Sequence, residues 1–303
     1  MSLITDTKKA RKVAEILYKE FNSKGIHGRK DMPEDLQPKR TSKGSLEHIL
    51  FITLTVSIDY QRDAVSLWAN SRKTFEDAST RYLFSPQDLY KTEFSKIVKD
   101  MQKHKLSKKV EKDARIWKTI GVAFYKKWNS NPLNFLKDCK WDSLVILDRL
   151  KKSFHIENNK YVPDYPYLKG NKIGPLWVRM LRDNLGIDKL TNLKKIPIPV
   201  DIHIARATLA LGIVKGRFEA NFIDFFEEIR KIWSQAIEGL NIKGREMIAL
   251  DVDEPLWHLS KYGCTKRNKL TGACPLHGKC QLRDFCIKGK IVMSKSKIDL
   301  DTI

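Results

Sequence analysis

Long apolar runs are missing from this 303-residue chain, and so are internal repeats and low-complexity tracts. No stretch approaches eighteen apolar residues without a charge, which excludes a transmembrane helix. The first residues, MSLITDTKKARKVAEILYKEF, lack the apolar run of a signal peptide and are typical of an amphipathic helix. We therefore expect an intracellular protein, in the cytoplasm or nucleoid, or in the nucleus of a eukaryote.

Segments that alternate apolar and polar residues with a period of two are also lacking, which argues against a β-sheet protein. Apolar residues recur instead at helical spacing, as in SKKVEKDARIWKTIGVAFYKKW and NFIDFFEEIRKIWSQAI. A hydrophobic content of 42% suffices for a core and excludes global disorder. The sequence predicts an all-α protein with short loops between packed helices.

Acidic residues are outnumbered: 36 Asp and Glu face 57 Lys and Arg, which gives a net charge of +21. The excess is spread along the whole chain. Such a charge attracts polyanions, and nucleic acid is the commonest polyanionic partner of a basic protein. The alternative is a lysine-rich organism whose helices carry solvated charged faces.

Cysteine is scarce outside one short segment. Cys139 stands alone in FLKDCKWDSL and is expected to be a buried small residue. The other four cysteines follow the spacing C-x9-C-x5-C-x5-C near the C-terminus: Cys264, Cys274, Cys280 and Cys286. In an intracellular protein, such a group indicates a zinc ion or an iron–sulfur cluster rather than disulfides.

A glycine-containing turn occurs in YPYLKGNKIGPLWVRML, between a hydrophobic residue and a helix with one apolar face. Glycine there allows close approach of another chain and leaves helix N-terminal amides that can bind phosphate. Lys172 would lie at that N-terminus, where the helix dipole and partial burial lower a lysine pKa and make the amine a nucleophile. The alternative is a solvated surface lysine.

One carboxylate stands in an apolar context. Asp201 follows Pro197 and Pro199 in IPIPVDIHIARATLALGIV and precedes a helix-forming run. Aspartate is a good N-cap, so capping alone explains it. A capping carboxylate at a helix mouth is also held in place and can face a ligand, so the two roles are compatible.

Three motifs follow one another along the chain: the lysine-bearing hairpin, VDIH before a helix and the four-cysteine loop. In this order they resemble the motifs of the helix-hairpin-helix DNA glycosylases of the endonuclease III type. The similarity runs from about residue 45 to 290. VDIHIARATLALGIV is similar to the segment around that family's catalytic aspartate, and VDEPLWHLSKYGCTKRN to the stretch entering its iron–sulfur loop. The resemblance implies a two-lobed, all-α glycosylase fold with a C-terminal 4Fe–4S cluster, zinc being the alternative.

Two departures from the family pattern are visible. The family hairpin reads L-P-G-x-G and its cysteines C-x6-C-x2-C-x5-C, whereas both earlier cysteine gaps are longer here. Keeping Leu168 and Gly170 in register puts Gly174 at the lysine position, whereas a shorter hairpin puts Lys172 there. We prefer the second register because KIGPLWVR then stays in phase with the helix.

The resemblance implies base-excision repair: the protein flips a damaged or mismatched base and cleaves its N-glycosidic bond, with AP-lyase activity through a lysine Schiff base. Asp201 would stabilise the sugar cation and Lys172 would be the nucleophile. The four cysteines would bind the cluster. Tyr60 and Gln61 would be the wedge that fills the gap left in the duplex by the flipped base. The other expected contacts to damaged double-stranded DNA are Lys169, Gly170, Asn171, His203, Lys266 and Arg267.

The predicted organisation is an N-terminal helix and connection (1–44), a helical domain with the hairpin at about 160–182 (45–200), a second lobe with the cysteine loop at 264–286 (201–290) and a tail (291–303). We expect a monomer without membrane contacts. Two other functions remain open: a monofunctional glycosylase in which Lys172 only binds phosphate, and a non-catalytic, zinc-stabilised DNA-binding protein. The sequence does not identify the target base.

Overall fold

The computed structural model describes residues 4–293 and 297–302. The helices are α1 (Thr7–Ser23), α2 (Leu46–Ser57), α3 (Ala64–Glu76), α4 (Pro86–Lys91), α5 (Phe94–Lys103), α6 (Val110–Trp128), α7 (Pro132–Asp138), α8 (Ser143–Lys152), α9 (Ile173–Asp183), α10 (Ile202–Ala210), α11 (Phe222–Ile237) and α12 (Asp253–Tyr262). The strands are β1 (Ile4–Thr5), β2 (Phe154–Glu157), β3 (Lys160–Pro163), β4 (Val214–Lys215), β5 (Arg217–Asn221), β6 (Asn241–Ile242), β7 (Arg245–Glu246), β8 (Gly289–Met293) and β9 (Lys297–Thr302).

The chain forms two compact units. One unit contains residues 32–193, and the other combines the residues up to Asp31 with those from Lys194 onward. We call them the central unit and the terminal unit. None of the helices within the described ranges is long and apolar enough to cross a lipid bilayer.

The central unit is built around α2, whose residues from His48 to Ser57 are all buried. Ser45 caps this helix by accepting the amide of His48. The rings of Phe51, Trp68 and Phe84 pack edge-on or tilted around it. Helix α9 packs on α2, where the indole of Trp177 donates to the hydroxyl of Thr53 at 3.0 Å. The element that follows the glycine turn is therefore anchored in the core.

The terminal unit packs α1 against α11 and α10 against α12. The predicted N-terminal amphipathic helix is confirmed as α1, with Ala10, Val13, Ala14 and Leu17 buried. Helix α10 is held from the other side, because the indole of Trp233 on α11 donates to Thr208 at 3.0 Å. This packing buries the helix that Asp201 begins.

Short strands add to the predicted all-α architecture, which is otherwise confirmed by the predominance of helix. Residues 291–303, predicted as a tail, include parts of β8 and β9. Strand β9 pairs with β5 on one side and with β8 on the other, in an antiparallel sheet of order β5-β9-β8. Ile298 and Leu300 of β9 are fully buried. Their alternation is too short for a period-two pattern to be recognised in the sequence, and the pairing with β5 joins distant parts of the chain.

A β-ribbon lies where the sequence predicted only a short loop between packed helices. Helix α8 ends at Lys152, and β2 and β3 pair antiparallel before the glycine turn begins. Asn158 and Asn159 form the tip with φ of 49° and 58°. Asparagine tolerates this left-handed conformation, which the two-residue turn of a β-hairpin requires. The Asn-Asn pair between Phe154-His-Ile-Glu and Lys160-Tyr-Val-Pro was the signal that could have revealed the ribbon.

Candidate functional site

The turn before α9 is a compact loop of the central unit. The amide of Gly170 donates to the carbonyl of Tyr167 at 2.8 Å, and the amide of Gly174 donates to the carbonyl of Gly170 at 2.9 Å. A Cβ at Gly170 would lie 3.0 Å from the carbonyl oxygen of Tyr167, so a larger residue would crowd the turn. The turn leaves Asn171 exposed and Lys169 half-buried at the surface.

Lys172 is the residue immediately before α9 and is half-buried. Its Nζ donates to the backbone carbonyl of Asp59 at 3.2 Å. Asp59 belongs to the connection between α2 and α3, so the lysine side chain joins the glycine turn to that loop. The amine is thus partly shielded and held in one direction, unlike that of a solvated surface lysine.

Gly174 is the second residue of α9 and is buried. A Cβ there would meet Cδ2 of Leu147 on α8 at 2.8 Å and the carbonyl oxygen of Leu168 at 3.0 Å. A lysine at this position would start against buried packing atoms. Position 174 is therefore closely packed, and the assignment of Lys172 to the family's lysine position stays a prediction.

The loop between α2 and α3 contacts the glycine turn through two tyrosines. The rings of Tyr60 and Tyr167 lie 5.0 Å apart, and Tyr60 is 38% exposed. Gln61 follows with φ of 50°, and its Oε1 accepts from Nζ of Lys109 at 3.2 Å. The predicted wedge residues are therefore both exposed, on a loop that contacts the glycine turn.

Buried polar contacts brace this loop from below. The guanidinium of Arg62 and the hydroxyl of Ser107 both donate to the carboxylate of Asp113, which is only 3% exposed. Lys112 and Lys109 lie over the rings of Tyr167 and Tyr60 at 5.3 and 5.7 Å. Three segments thus form a basic, aromatic surface: the loop between α2 and α3, the glycine turn and the start of α6.

In the terminal unit, Asp201 is the N-cap of α10. Its Oδ1 accepts the backbone amides of His203 at 2.7 Å and Ile204 at 3.0 Å. Ile198, Val200 and Ile204 around it are fully buried, whereas Asp201 itself is partly exposed. The carboxylate is therefore fixed by two amides and the helix dipole in an apolar setting while one side reaches the surface.

Side chains of α10 and α12 contact one another close to the start of α10. Nδ1 of His203 lies 3.3 Å from the hydroxyl of Ser260, and its ring meets Trp257 edge-on with centroids 5.6 Å apart. Arg206, one turn further along α10, donates to the same hydroxyl at 3.5 Å. Burial lowers the pKa of the Arg206 guanidinium, and the charges of Cys264 and Asp201 both raise it. Arg206 thus lies close to both the carboxylate and the cysteine loop.

The four C-terminal cysteines converge in the terminal unit. Burial raises the pKa of the Cys264 thiol, and each of the other three cysteines raises it further. Burial also raises the pKa of Cys280, to which Cys286 and Cys274 add. Cations lie nearby, since Arg267 and Arg206 act on Cys264 and Lys9 acts on Cys286. The four thiols thus lie close enough to raise one another's pKa, with cations beside them. This arrangement suits a metal centre that all four thiolates bind and whose negative charge the cations balance.

Four cysteine thiolates are ligands for a zinc ion or for an iron–sulfur cluster. In the described part of the chain, no group of three or more His, Cys, Asp or Glu side chains is arranged to hold a metal ion. A zinc site needs four sulfurs within about 2.3 Å of one ion. A four-iron cluster instead binds one thiolate at each iron, so its ligands stand further apart.

The cysteine loop is stabilised by contacts that the sequence did not predict. Arg267 donates to the carbonyl of Ile287, to that of Gly289 at 3.2 Å and to Sγ of Cys286 at 3.6 Å. Both terminal nitrogens of its guanidinium are thus engaged inside the loop, and its predicted contact with DNA stays a prediction. Lys266 is exposed on a short turn. Gly272 has φ of 72°, and a Cβ there would clash with the carbonyl of Gly289.

Several residues of these sites were missed in the sequence. Arg206 follows His203 at helical spacing on α10, and Tyr167 lies in the repeated pattern YPY, so weak signals existed. Asp113, Trp257 and Ser260 lie far from their partners in sequence, and no local pattern indicates their contacts. The lone Cys139 is fully buried, as expected, and burial raises its thiol pKa to about 11.

A solved structure has a similar fold. It is described as "Structure of a non-covalent Endonuclease III-DNA Complex", and the superposition has a TM-score of 0.51, covers 93% of this chain and 98% of that one, and pairs residues that are 15% identical. No protein-family model matches the sequence, and no curated protein is significantly similar to it. On the evidence of this superposition and the helical architecture, the chain has the fold of that endonuclease III structure.

Proposed function

We propose that the protein is a DNA base-excision repair glycosylase that cleaves the N-glycosidic bond of a flipped damaged or mismatched base, with AP-lyase activity. The observation that carries this proposal is Asp201: a carboxylate fixed by two backbone amides at the mouth of α10, among buried aliphatic side chains, in a chain with the endonuclease III fold. We further propose that it acts inside the cell, as a monomer, on double-stranded DNA.

Departure of the base leaves positive charge on the deoxyribose. A carboxylate that is already oriented stabilises this charge without rearranging, and the buried aliphatic side chains next to it strengthen the attraction by lowering the local dielectric constant. Asp201 has the required restraint, because rotation of its side chain would break the bonds to the amides of His203 and Ile204. In this proposal His203, two residues after Asp201 in the first turn of α10, contacts the DNA.

Lys172 is the proposed nucleophile. The neutral amine attacks C1′ of the deoxyribose as the base leaves with the bonding electrons, and the proton that the amine gives up goes to the departing base. The sugar ring then opens as the C1′–O4′ bond breaks and O4′ takes a proton, which gives a Schiff base that permits strand cleavage by β-elimination. Its partly buried Nζ, held towards the carbonyl of Asp59, supports the role. When the substrate binds, the Lys172 amine must either break its hydrogen bond to the carbonyl of Asp59 or keep it while its lone pair faces C1′.

Flipping a base requires that the gap in the duplex be filled. Tyr60 and Gln61 are the proposed wedge, supported by their exposed position on a braced loop. Lys169, Gly170 and Asn171 of the glycine turn, together with Lys266, are the proposed contacts to the DNA backbone. A net charge of +21 favours binding to phosphate.

A panel of duplexes tests the reaction, each with one oxidised pyrimidine, oxidised purine, uracil or mismatch. We expect at least one substrate to yield abasic sites, scored by alkaline cleavage, and nicks without alkali. The undamaged duplex is the control. Binding to every damaged duplex with no base release would identify a non-catalytic DNA-binding protein instead.

The cofactor proposal is a 4Fe–4S cluster bound by Cys264, Cys274, Cys280 and Cys286. Such a cluster, once bound, would fix the geometry of the loop that carries Lys266. We expect the purified protein to be brown, with about four irons per chain. Cys286→Ser should lose most of the iron and the visible absorption, whereas Cys139→Ala, at the one cysteine outside the loop, should keep both. Anaerobically prepared protein that is colourless and binds one zinc would contradict the assignment.

A further inference from the structure

A cavity of about 590 Å³ lies in the central unit between α6 and the β-ribbon, and none of the proposed glycosylase residues lines it. Its size falls within the range of roughly 300–1,000 Å³ that is usual for ligand sites. Tyr90 and Phe94 contribute from α4 and α5, and β2 contributes His155, Ile156 and Glu157. We call this cavity the α6 groove.

One face of α6 makes the floor of the groove basic. Arg115, Lys118, Val122 and Lys126 recur at helical spacing and all line it. Lys127 also lines it but is paired with the buried carboxylate of Asp164. Within the described ranges, no ion pair engages Arg115, Lys118 or Lys126, so no carboxylate neutralises their positive charge. The ammonium of Lys118 donates to the carbonyl of Thr92 at 2.7 Å, whereas Arg115 and Lys126 lie over aromatic rings. Glu157 is the remaining acid on the wall.

Aromatic rings accompany these cations. Tyr90 is 46% exposed and stacks on Tyr125 with centroids 4.9 Å apart, while Lys126 lies 5.2 Å over its ring. Arg115 lies 5.3 Å over the ring of Phe94. The bases of unpaired nucleotides stack on aromatic rings and guanidinium planes, and their phosphates bind cationic side chains, so the groove offers both kinds of contact.

The other wall of the groove is held rigidly. Asp164, 2% exposed, accepts from Lys127 on α6, from Ser153 at 2.5 Å and from His155 at 2.9 Å. These contacts join the two ends of the ribbon to α6, so the groove exists before any ligand binds.

At Ile156 the wall of the groove passes onto the outer face of the ribbon, which lies opposite the face of His155 and Glu157. Phe154, Ile156 and Tyr161 are 50%, 68% and 74% exposed, and the rings of Phe154 and Tyr161 lie 5.2 Å apart. Lys151, Lys152 and Lys160 surround them and are also exposed. A surface of this length exceeds what one nucleotide covers.

We propose that the α6 groove and the exposed face of the ribbon bind single-stranded nucleic acid, with bases stacking on Tyr90 and the ribbon aromatics and phosphates bound by the α6 cations. A duplex fits less well, because its bases are already stacked and cannot lie on protein rings. This site is separate from the residues proposed to act on the damaged base.

Fluorescence anisotropy with a labelled oligothymidylate and an undamaged duplex of equal length tests the proposal. The double variant Arg115→Gln/Lys126→Gln should weaken single-strand binding at least about tenfold and duplex binding less than about twofold. Tyr90→Ala should weaken single-strand binding at least about fivefold. The matched control Lys73→Gln/Lys99→Gln removes the same charge from exposed positions on α3 and α5 and should change neither affinity more than about twofold.

Equal losses on both probes, equal losses in the control, or unchanged single-strand binding would each overturn the proposal. A thymidine mononucleotide that competes as well per molecule as the oligothymidylate would overturn the extended site. Photocrosslinking with 4-thiothymidine gives an independent readout: adducts should fall within residues 86–127 and 151–164, and adducts confined to other segments would contradict it. Base release from damaged duplex should be retained in the groove variants, so the result is independent of the proposed glycosylase activity.

Discussion

Replacing Asp201 with asparagine is expected to slow base release at least about a hundredfold, because the developing sugar cation loses its counter-charge. Single-turnover kinetics on the damaged duplex that scores in the substrate panel, at saturating protein, measure this rate. Affinity for the same duplex should change little, since the contribution of the carboxylate arises as the bond breaks.

This substitution separates catalysis from capping. Asparagine caps helices about as well as aspartate, so a purely structural Asp201 would tolerate the change with a few tenths of a kcal/mol lost from the free energy of unfolding. Asp142→Asn is the matched control, because Asp142 caps α8 through the amides of Leu144 and Val145. Unchanged base release in Asp201→Asn would eliminate the proposed role of the carboxylate.

Borohydride reduction is expected to trap the wild-type protein covalently on its damaged substrate, and Lys172→Gln should abolish both trapping and strand cleavage. The reason is that only an amine forms the reducible Schiff base, which glutamine cannot replace. Denaturing gel electrophoresis resolves the crosslinked protein from free DNA. Lys137→Gln, at an exposed lysine on α7, is the control and should still be trapped.

Other outcomes would reassign the lysine. If Lys172→Gln still nicks and crosslinks at saturating protein, another amine such as Lys169 is the nucleophile. If the wild-type protein releases base but never crosslinks, the enzyme is monofunctional and water attacks the sugar. Lys172 as a phosphate contact would then show weaker binding and a salt dependence reduced by about one phosphate.

Local signals in the sequence were sufficient for the helices and for one role of Asp201. Serine or aspartate before an apolar run places helix starts, as Ser45 and Asp201 do, because the capping bond spans only three residues. Helical periodicity likewise revealed α6, and the spacing of the four cysteines indicated that they share a group. These inferences depend on neighbours in the chain, which the sequence states directly.

Only the tertiary structure decided which distant residues meet. The contact of Lys172 with the carbonyl of Asp59, the packing of Tyr60 on Tyr167 and the bracing of Arg62 by Asp113 join segments that lie far apart in the sequence. The same applies to Arg267, which looks like a free surface cation in sequence but is bound to carbonyls of the cysteine loop. The α6 groove required both: periodicity places its cations on one helix face, but the ribbon that closes it is positioned by the buried pair of Asp164 and Lys127. Whether a charged side chain points to solvent, a partner or a ligand depends on what the fold brings opposite it, and no local pattern encodes that.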